Sequence, residues 1–90
     1  MNVILRCGCG GIQTHVEKSM GLLKLTPANE TYIGKEKIRK FAASLPAESN
    51  ARQYMDSIAK KSGRYAFYMS LNEEGDILSL YNLVTGKKVY

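Results

Sequence analysis

Two strand-like segments in the last third of the chain constrain the fold more than any other feature. RYAFYMSL (residues 64–71) and ILSLYNL (77–83) are rich in aromatic and branched side chains, and they flank the short segment NEEGD. A glycine among acidic residues at such a position is typical of an antiparallel hairpin connection. We therefore predict a C-terminal β-hairpin, extended into a meander by a tight turn at Thr85 and Gly86 and a short strand to Tyr90.

The alternation of side chains along the first of these strands assigns its two faces. Tyr65, Phe67 and Met69 share one face, and Tyr68 lies on the other. A hairpin alone is marginally stable in water, so its apolar face needs a second layer. Because Phe67 and Met69 are large and apolar, we expect them in the core, and we expect Tyr68 at the surface, where its ring can meet a partner.

The middle of the chain carries the period of amphipathic helices. Ile38, Phe41, Ala42 and Leu45 recur at helical spacing, which predicts a helix over about 35–45 that Pro46 ends. A second helix follows. Its N-cap is Ser49 or Asn50, its apolar stripe consists of Ala51, Tyr54, Met55 and Ile58, and Gly63 lies just beyond its end.

The first third of the chain alternates in the manner of strands. Val3, Leu5 and Cys7 fall on one face, and Ile12, Thr14 and Val16 repeat the same two-residue period after the glycines. We predict an N-terminal hairpin whose two strands are joined by CGCGG (7–11), because glycine supplies the positive φ angles of a tight connection. A third short strand is predicted over GLLKL (21–25), and TPANETYIG (26–34) is interpreted as a connection.

Together these elements predict one α+β domain spanning residues 1–90. We expect two layers: a mainly antiparallel sheet, built from the N-terminal hairpin and the C-terminal hairpin or meander, with two amphipathic helices on one face. A chain of 90 residues has too little apolar material for a second core. It has no apolar run of membrane-spanning or signal-peptide length and only two closely spaced cysteines. We therefore expect a cytoplasmic protein with no membrane partner.

The segment RCGCGG (6–11) is the one place where the residues suggest chemistry. Cys7, Cys9 and His15 could in principle bind zinc. However, a single residue separates the two cysteines, whereas structural zinc sites favour two to four, and no second cysteine pair exists. A thiol nucleophile would need an oriented base and, usually, a following helix N-terminus, and neither is predicted here. The glycines are not followed by the lysine and hydroxyl of a phosphate-binding loop. We predict no metal, no cofactor and no enzymatic activity.

The charge distribution is the strongest surface feature of the sequence. The formal net charge is +5, and KEKIRK (35–40) places four cations and one acid on the first predicted helix. Such clustering favours contact with a polyanion. We expect opposed positive and negative ends, because several carboxylates are concentrated in NEEGD. The residues predicted to bind nucleic acid or a nucleoprotein complex are Lys35, Lys37, Arg39, Lys40, Lys60, Lys61 and Arg64.

The aromatic residues suggest a second type of contact. GRYAFYMSL (63–71) resembles the aromatic strand of RNA-recognition motifs over about eight residues, in which alternating aromatic side chains stack on bases. The glycine and arginine stand in inverted order, and a hairpin follows where that family has a helix, so the chain is not assigned to it. Tyr68 and Tyr81 are the residues predicted to contact a partner.

Two functions of different classes fit these features. The first is a non-enzymatic module that binds nucleic acid through its basic surface. The second is a protein-interaction module, such as a phage or mobile-element inhibitor or regulator that occludes a host protein complex. Exposed strand edges would also permit a homodimer formed by sheet extension.

Overall fold

The N-terminal strand β1 (Asn2–Cys7) is an interior strand of the sheet in the computed structural model, which describes residues 1–8, 12–60 and 63–90. It pairs in parallel with β2 (Glu30–Ile33) and antiparallel with β3 (Tyr65–Leu71). The described residues form five strands in the order β2-β1-β3-β4-β5, with all pairs except β1–β2 antiparallel. The remaining elements are α1 (Ile12–Leu22), α2 (Lys35–Ser44), α3 (Asn50–Ala59), β4 (Ile77–Asn82) and β5 (Lys87–Lys88).

The α+β class and the mainly antiparallel sheet are therefore confirmed, as is the C-terminal hairpin. The two predicted helices, α2 and α3, also lie where the sequence indicates. Leu45, the residue before Pro46, is extended and ends α2. The hydroxyl of Ser49 accepts a hydrogen bond from the Arg52 amide (3.2 Å), which identifies Ser49 as the N-cap of α3.

The predicted N-terminal hairpin is wrong. The residues expected to form its second strand instead form α1, and the segment 21–25 is the end of that helix and the turn after it. Ile12, Val16 and Met20 recur every four residues, so the same residues that alternate like a strand also form a helical stripe. Parallel pairing of β1 with β2 requires a crossover connection, and α1 supplies it.

The predicted connection 26–34 contains the edge strand β2. Its Thr31, Tyr32 and Ile33 have the β-branched and aromatic side chains of a strand, but four residues are too few to reveal a period.

Side chains of β1 and β3 alternate between two cores on opposite faces of the sheet. Leu5 and Phe67 pack with α2 and α3, whereas Ile4 and Tyr68 pack with α1. The expected burial of Phe67 and Met69 beneath the two predicted helices is confirmed. The sheet thus has a second helix-covered face, which the prediction of two helices on one face did not include.

Candidate nucleic-acid interface

Helix α2 presents its cations to solvent because its large apolar side chains face the sheet. Gly34, at a φ of 93°, directs the chain from β2 into the helix, and its carbonyl accepts a hydrogen bond from the Ile38 amide at 3.1 Å. Ile38, Phe41 and Ala42 are buried in the core beside β1 and β3. The other residues of the first two turns are exposed: Lys35, Glu36, Lys37, Arg39 and Lys40.

The position of these charges is not explained by helix stability. Lys35 and Lys37 lie in the first turn of α2, where the helix dipole disfavours cations by a few tenths of a kcal/mol each, and the only acidic residue there is Glu36. Lys60, by contrast, lies at the C-terminal end of α3, where a cation is favourable. The helix dipole therefore does not account for Lys35 and Lys37.

Internal ion pairing accounts for little of this charge. The Lys40 Nζ lies 3.7 Å from Oε1 of Glu36, but both side chains are more than three-quarters exposed. Exposed pairs of this kind contribute well under about 1 kcal/mol and remain available to other partners. Four cations against one carboxylate leave α2 with a positive surface.

An open groove of ≈ 470 Å³ lies between α2 and the edge strand β2. The Tyr32 ring stacks on Phe41 there, with centroids 4.5 Å apart and planes 19° from parallel. Lys37 and Lys40 flank this aromatic pair. The groove is lined by Thr31, Tyr32, Lys37, Lys40, Phe41 and Ser44.

Further cations gather at the end of the sheet where α2 begins. The Gly34 amide donates to the Arg6 carbonyl (2.9 Å), which places the first turn of α2 beside the end of β1. Arg39 is close enough to Tyr65, at the start of β3, for its charge to act on the phenol. Arg64 lies against the backbone of Gly8, where an added Cβ would come within 2.3 Å of the Arg64 Cγ. Of the other predicted residues at this end, Lys60 is exposed and Lys61 lies outside the described residues.

The opposite end of the sheet carries carboxylates. β3 runs from Tyr65 to Leu71, so the β3–β4 turn lies at the far end from Arg64. Glu74 and Asp76 of this turn line a shallow pocket with Glu48 of the α2–α3 connection. The Asp76 Oδ1 accepts a hydrogen bond from the Asn50 amide at 3.2 Å, which joins the turn to α3. The molecule is thus electrostatically polarised, with the N-terminal end of α2 at its positive end.

Tyr65, at the start of β3 and near Arg39, is almost fully buried. Its hydroxyl forms no hydrogen bond of ordinary geometry among the described residues, although the Cys7 thiol is close enough to interact with it. Burial is the main cause that raises the pKa of Tyr65 to about 12, the neighbouring Cys7 thiol adds to this rise, and the Arg39 guanidinium opposes it. At neutral pH the phenol is therefore protonated.

The prediction of Tyr68 as an exposed contact is wrong. Only 2% of its surface is accessible, because the side chain faces α1, and its hydroxyl donates to the Thr26 carbonyl at 2.9 Å. Tyr81 is half-buried and packs edge-on against Tyr68, with Lys88 Nζ 6.0 Å from its ring centroid. Neither tyrosine lies in the α2–β2 groove. Tyr32, which does line the groove, was missed because its strand is too short to show a period.

The cysteine segment is only partly described. Cys7 is half-buried at the end of β1, His15 is exposed on α1, and Cys9 lies outside the described residues. Within residues 1–8, 12–60 and 63–90, no group of three His, Cys, Asp or Glu side chains is arranged to hold a metal ion. The glycine segment is followed by α1, contrary to the expectation that no helix begins there.

Comparison with known proteins identifies no relative of this chain. No protein-family model, no curated protein and no solved structure matches the chain. None of the helices in the described ranges has both the length and the apolar character needed to cross a membrane.

Proposed function

We propose that this protein is a non-enzymatic binding module that engages nucleic acid, free or within a nucleoprotein complex, through its basic surface. The contact surface consists of the exposed side of α2 and the cations beside its N-terminal end. Its residues are Lys35, Lys37, Arg39, Lys40, Lys60 and Arg64. Lys61, which the sequence adds to this set, lies outside the described residues.

The observation that carries this proposal is the charge of α2. Four exposed cations and one carboxylate occupy its outer side, and two of the cations stand in the first turn against the helix dipole. A phosphate backbone would reverse that unfavourable electrostatic energy, because it brings negative charge to the positive end of the helix. Contacts of this kind position a protein on a nucleic acid without reading its sequence.

Salt dependence is the direct test. Each phosphate neutralised by a lysine or arginine releases counterions, so six such contacts on a duplex give a slope of log affinity against log salt of about −5. We expect binding of a fluorescently labelled short duplex, measured by anisotropy, to weaken with this slope between about 50 and 200 mM salt. A flat slope, or no binding at the lowest salt concentration, would contradict the proposal.

A matched pair of variants locates the surface. Lys37→Gln with Lys40→Gln removes two α2 cations, whereas Lys18→Gln with Lys24→Gln removes two exposed cations of the α1 region. Both lower the net charge by two. The α2 variant should lose roughly tenfold in affinity and reduce the magnitude of the salt slope by about 2, for all sequences alike. If both variants lose affinity equally, net charge alone drives binding and the α2 surface is not the site.

A protein partner is the second candidate, and an apolar pocket near the C-terminus favours it. The pocket measures ≈ 180 Å³ and lies between α3 and β4, lined by Tyr54, Ile77, Leu80, Val89 and others. Val89 and Tyr90 beside it are 52% and 63% exposed. An inhibitor or regulator that occludes a host complex could use such a surface.

A pull-down from nuclease-treated cell extract separates the two candidates. Stoichiometric recovery of a protein after nuclease treatment would support the second candidate, and recovery that nuclease abolishes would support the first. Sedimentation mass tests the homodimer, for which β2 offers the longer of the two sheet edges.

A further inference from the structure

The Tyr32 ring is held in a fixed orientation at the edge of the sheet. One of its faces stacks on Phe41 at 4.5 Å, and its hydroxyl donates a hydrogen bond to the Glu30 carboxylate. That hydrogen bond is the main cause that raises the pKa of Tyr32 to about 12, so the phenol stays protonated and the hydrogen bond persists at neutral pH. Tyr32 is only half-buried, whereas Tyr65, Phe67 and Tyr68 are buried in the cores.

The surroundings of this ring combine stacking and charge. Tyr32 lines the ≈ 470 Å³ groove with two lysines from α2, Lys37 and Lys40, and with the hydroxyls of Thr31 and Ser44. The groove is open to solvent on its outer side, because β2 is the last strand of the sheet in the described part of the chain. An extended chain segment can therefore enter the groove from the β2 edge of the sheet.

These features fit one class of ligand. Bases of single strands can be splayed onto aromatic rings, whereas bases of a duplex are already stacked on their neighbours. The Glu30 carboxylate beside the ring repels phosphate, while the α2 lysines attract it, so a base is favoured at Tyr32 and the backbone along the helix.

We infer that the α2–β2 groove binds single-stranded nucleic acid, with a base stacked on Tyr32 and the flanking phosphates on Lys37 and Lys40. This inference rests on the proposed function and specifies its ligand. Recognition is tolerant of sequence, because every base has a face that can stack.

The test compares Tyr32→Leu with the control Tyr32→Phe. Leucine removes the aromatic face, whereas phenylalanine keeps it and removes only the hydroxyl. Binding of labelled oligodeoxythymidine and of a short duplex is measured by anisotropy at fixed salt. Tyr32→Leu should lose roughly 5- to 150-fold in single-strand affinity, Tyr32→Phe should bind like wild type, and duplex affinity should be the same for all three.

A cross-linking measurement on the unmodified protein covers the case in which Tyr32→Leu does not fold. Irradiation of a complex with a 5-bromodeoxyuridine oligonucleotide should cross-link the tryptic peptide LTPANETYIGK (residues 25–35), whose only aromatic residue is Tyr32. A cross-link confined to other peptides would overturn the inference.

The outcomes separate this inference from the proposed function. If wild type binds both oligonucleotides and Tyr32→Leu is folded and unchanged, the stacking site is wrong and the basic surface stands. If wild type binds neither oligonucleotide, the proposed function fails and the inference with it. Binding of an acidic extended peptide in the groove, without any oligonucleotide binding, would identify a peptide site and overturn both.

Discussion

At the scale of single residues, the Tyr65 side chain is unusual because its buried hydroxyl forms no hydrogen bond of ordinary geometry among the described residues. The other buried side-chain polar atoms in the described part of the chain are satisfied: the Tyr68 hydroxyl donates to the Thr26 carbonyl, and the Ser19 hydroxyl donates to the Leu83 carbonyl at 2.5 Å. An unsatisfied buried hydroxyl costs about 1–3 kcal/mol of stability, so its removal should not destabilise the protein.

The raised pKa of Tyr65 predicts a specific loss of stability in alkali. The pKa rises from 10.0 to about 12 on folding, so the neutral phenol is favoured in the folded state. The stabilisation that this pKa shift adds to the free energy of unfolding is complete below pH 10 and is lost as the pH rises from 10 towards 12. We expect Tyr65→Phe to lose less stability than wild type over that interval.

Urea denaturation followed by circular dichroism, at one pH below 10 and one near 12, measures this difference. Lysine titration affects both proteins alike, so the difference between them isolates Tyr65. Tyr90→Phe, at a residue 63% exposed, is the control and should behave as wild type does. A loss of more than about 1 kcal/mol in Tyr65→Phe at neutral pH would reveal a hydrogen-bond partner that the hydroxyl needs.

At the scale of elements, α1 is where local pattern and tertiary structure disagree. Ile12, Val16 and Met20 face the sheet and pack against Ile4, Ala66 and Tyr68. A strand over the same residues would also place these three side chains on one face, so their spacing does not decide between strand and helix. The helix is favoured because it buries the whole stripe against a sheet face that α2 and α3 leave uncovered.

A glycine substitution tests the assignment of residues 12–22 to a helix. Gly21 lies in the last turns of α1, with open space around the position of an added Cβ. Gly21→Ala should therefore raise stability by about 0.5–1 kcal/mol, because alanine restricts the unfolded chain and favours helix.

Gly8→Ala should do the opposite. Its φ of +117° disfavours any side chain, and the new Cβ would overlap the Arg64 Cγ, so we expect a loss of about 1–3 kcal/mol or more. Chemical denaturation of both variants gives the values. A Gly21→Ala protein without increased stability would argue against the helical end of α1.

At the scale of the whole molecule, the two cores share the same strands. Leu5 of β1 belongs to the core under α2 and α3, and the adjacent Ile4 belongs to the core under α1. Because both cores include side chains of β1 and β3, unfolding of these strands disrupts both cores together. The charge distribution is also a property of this scale. The first turn of α2, Arg6 of β1 and Arg64 just before β3 lie at one end of the sheet, and the β3–β4 turn lies at the other.

The shared strands predict that the protein unfolds as one unit. Ile58→Ala in α3 and Ile12→Ala in α1 truncate matched side chains, 1% and 4% exposed, in different cores. Each should cost about 2–5 kcal/mol. In both variants, unfolding followed by helical circular dichroism and by tyrosine signals should coincide. A separate early transition in Ile12→Ala would show that α1 unfolds independently.

Local sequence signals alone determined the C-terminal hairpin, both later helices, the end of α2 and a choice of two N-caps for α3, because turn glycines, Pro46 and Ser49 act on neighbouring residues. They also determined the positive charge of α2. The tertiary structure alone decided between the helix and the strand at α1, placed Tyr68 inside and Tyr32 in the groove, and paired β2 with β1. Those outcomes depend on which apolar face remains uncovered once distant segments have met, and that information is not contained in any single stretch of the chain.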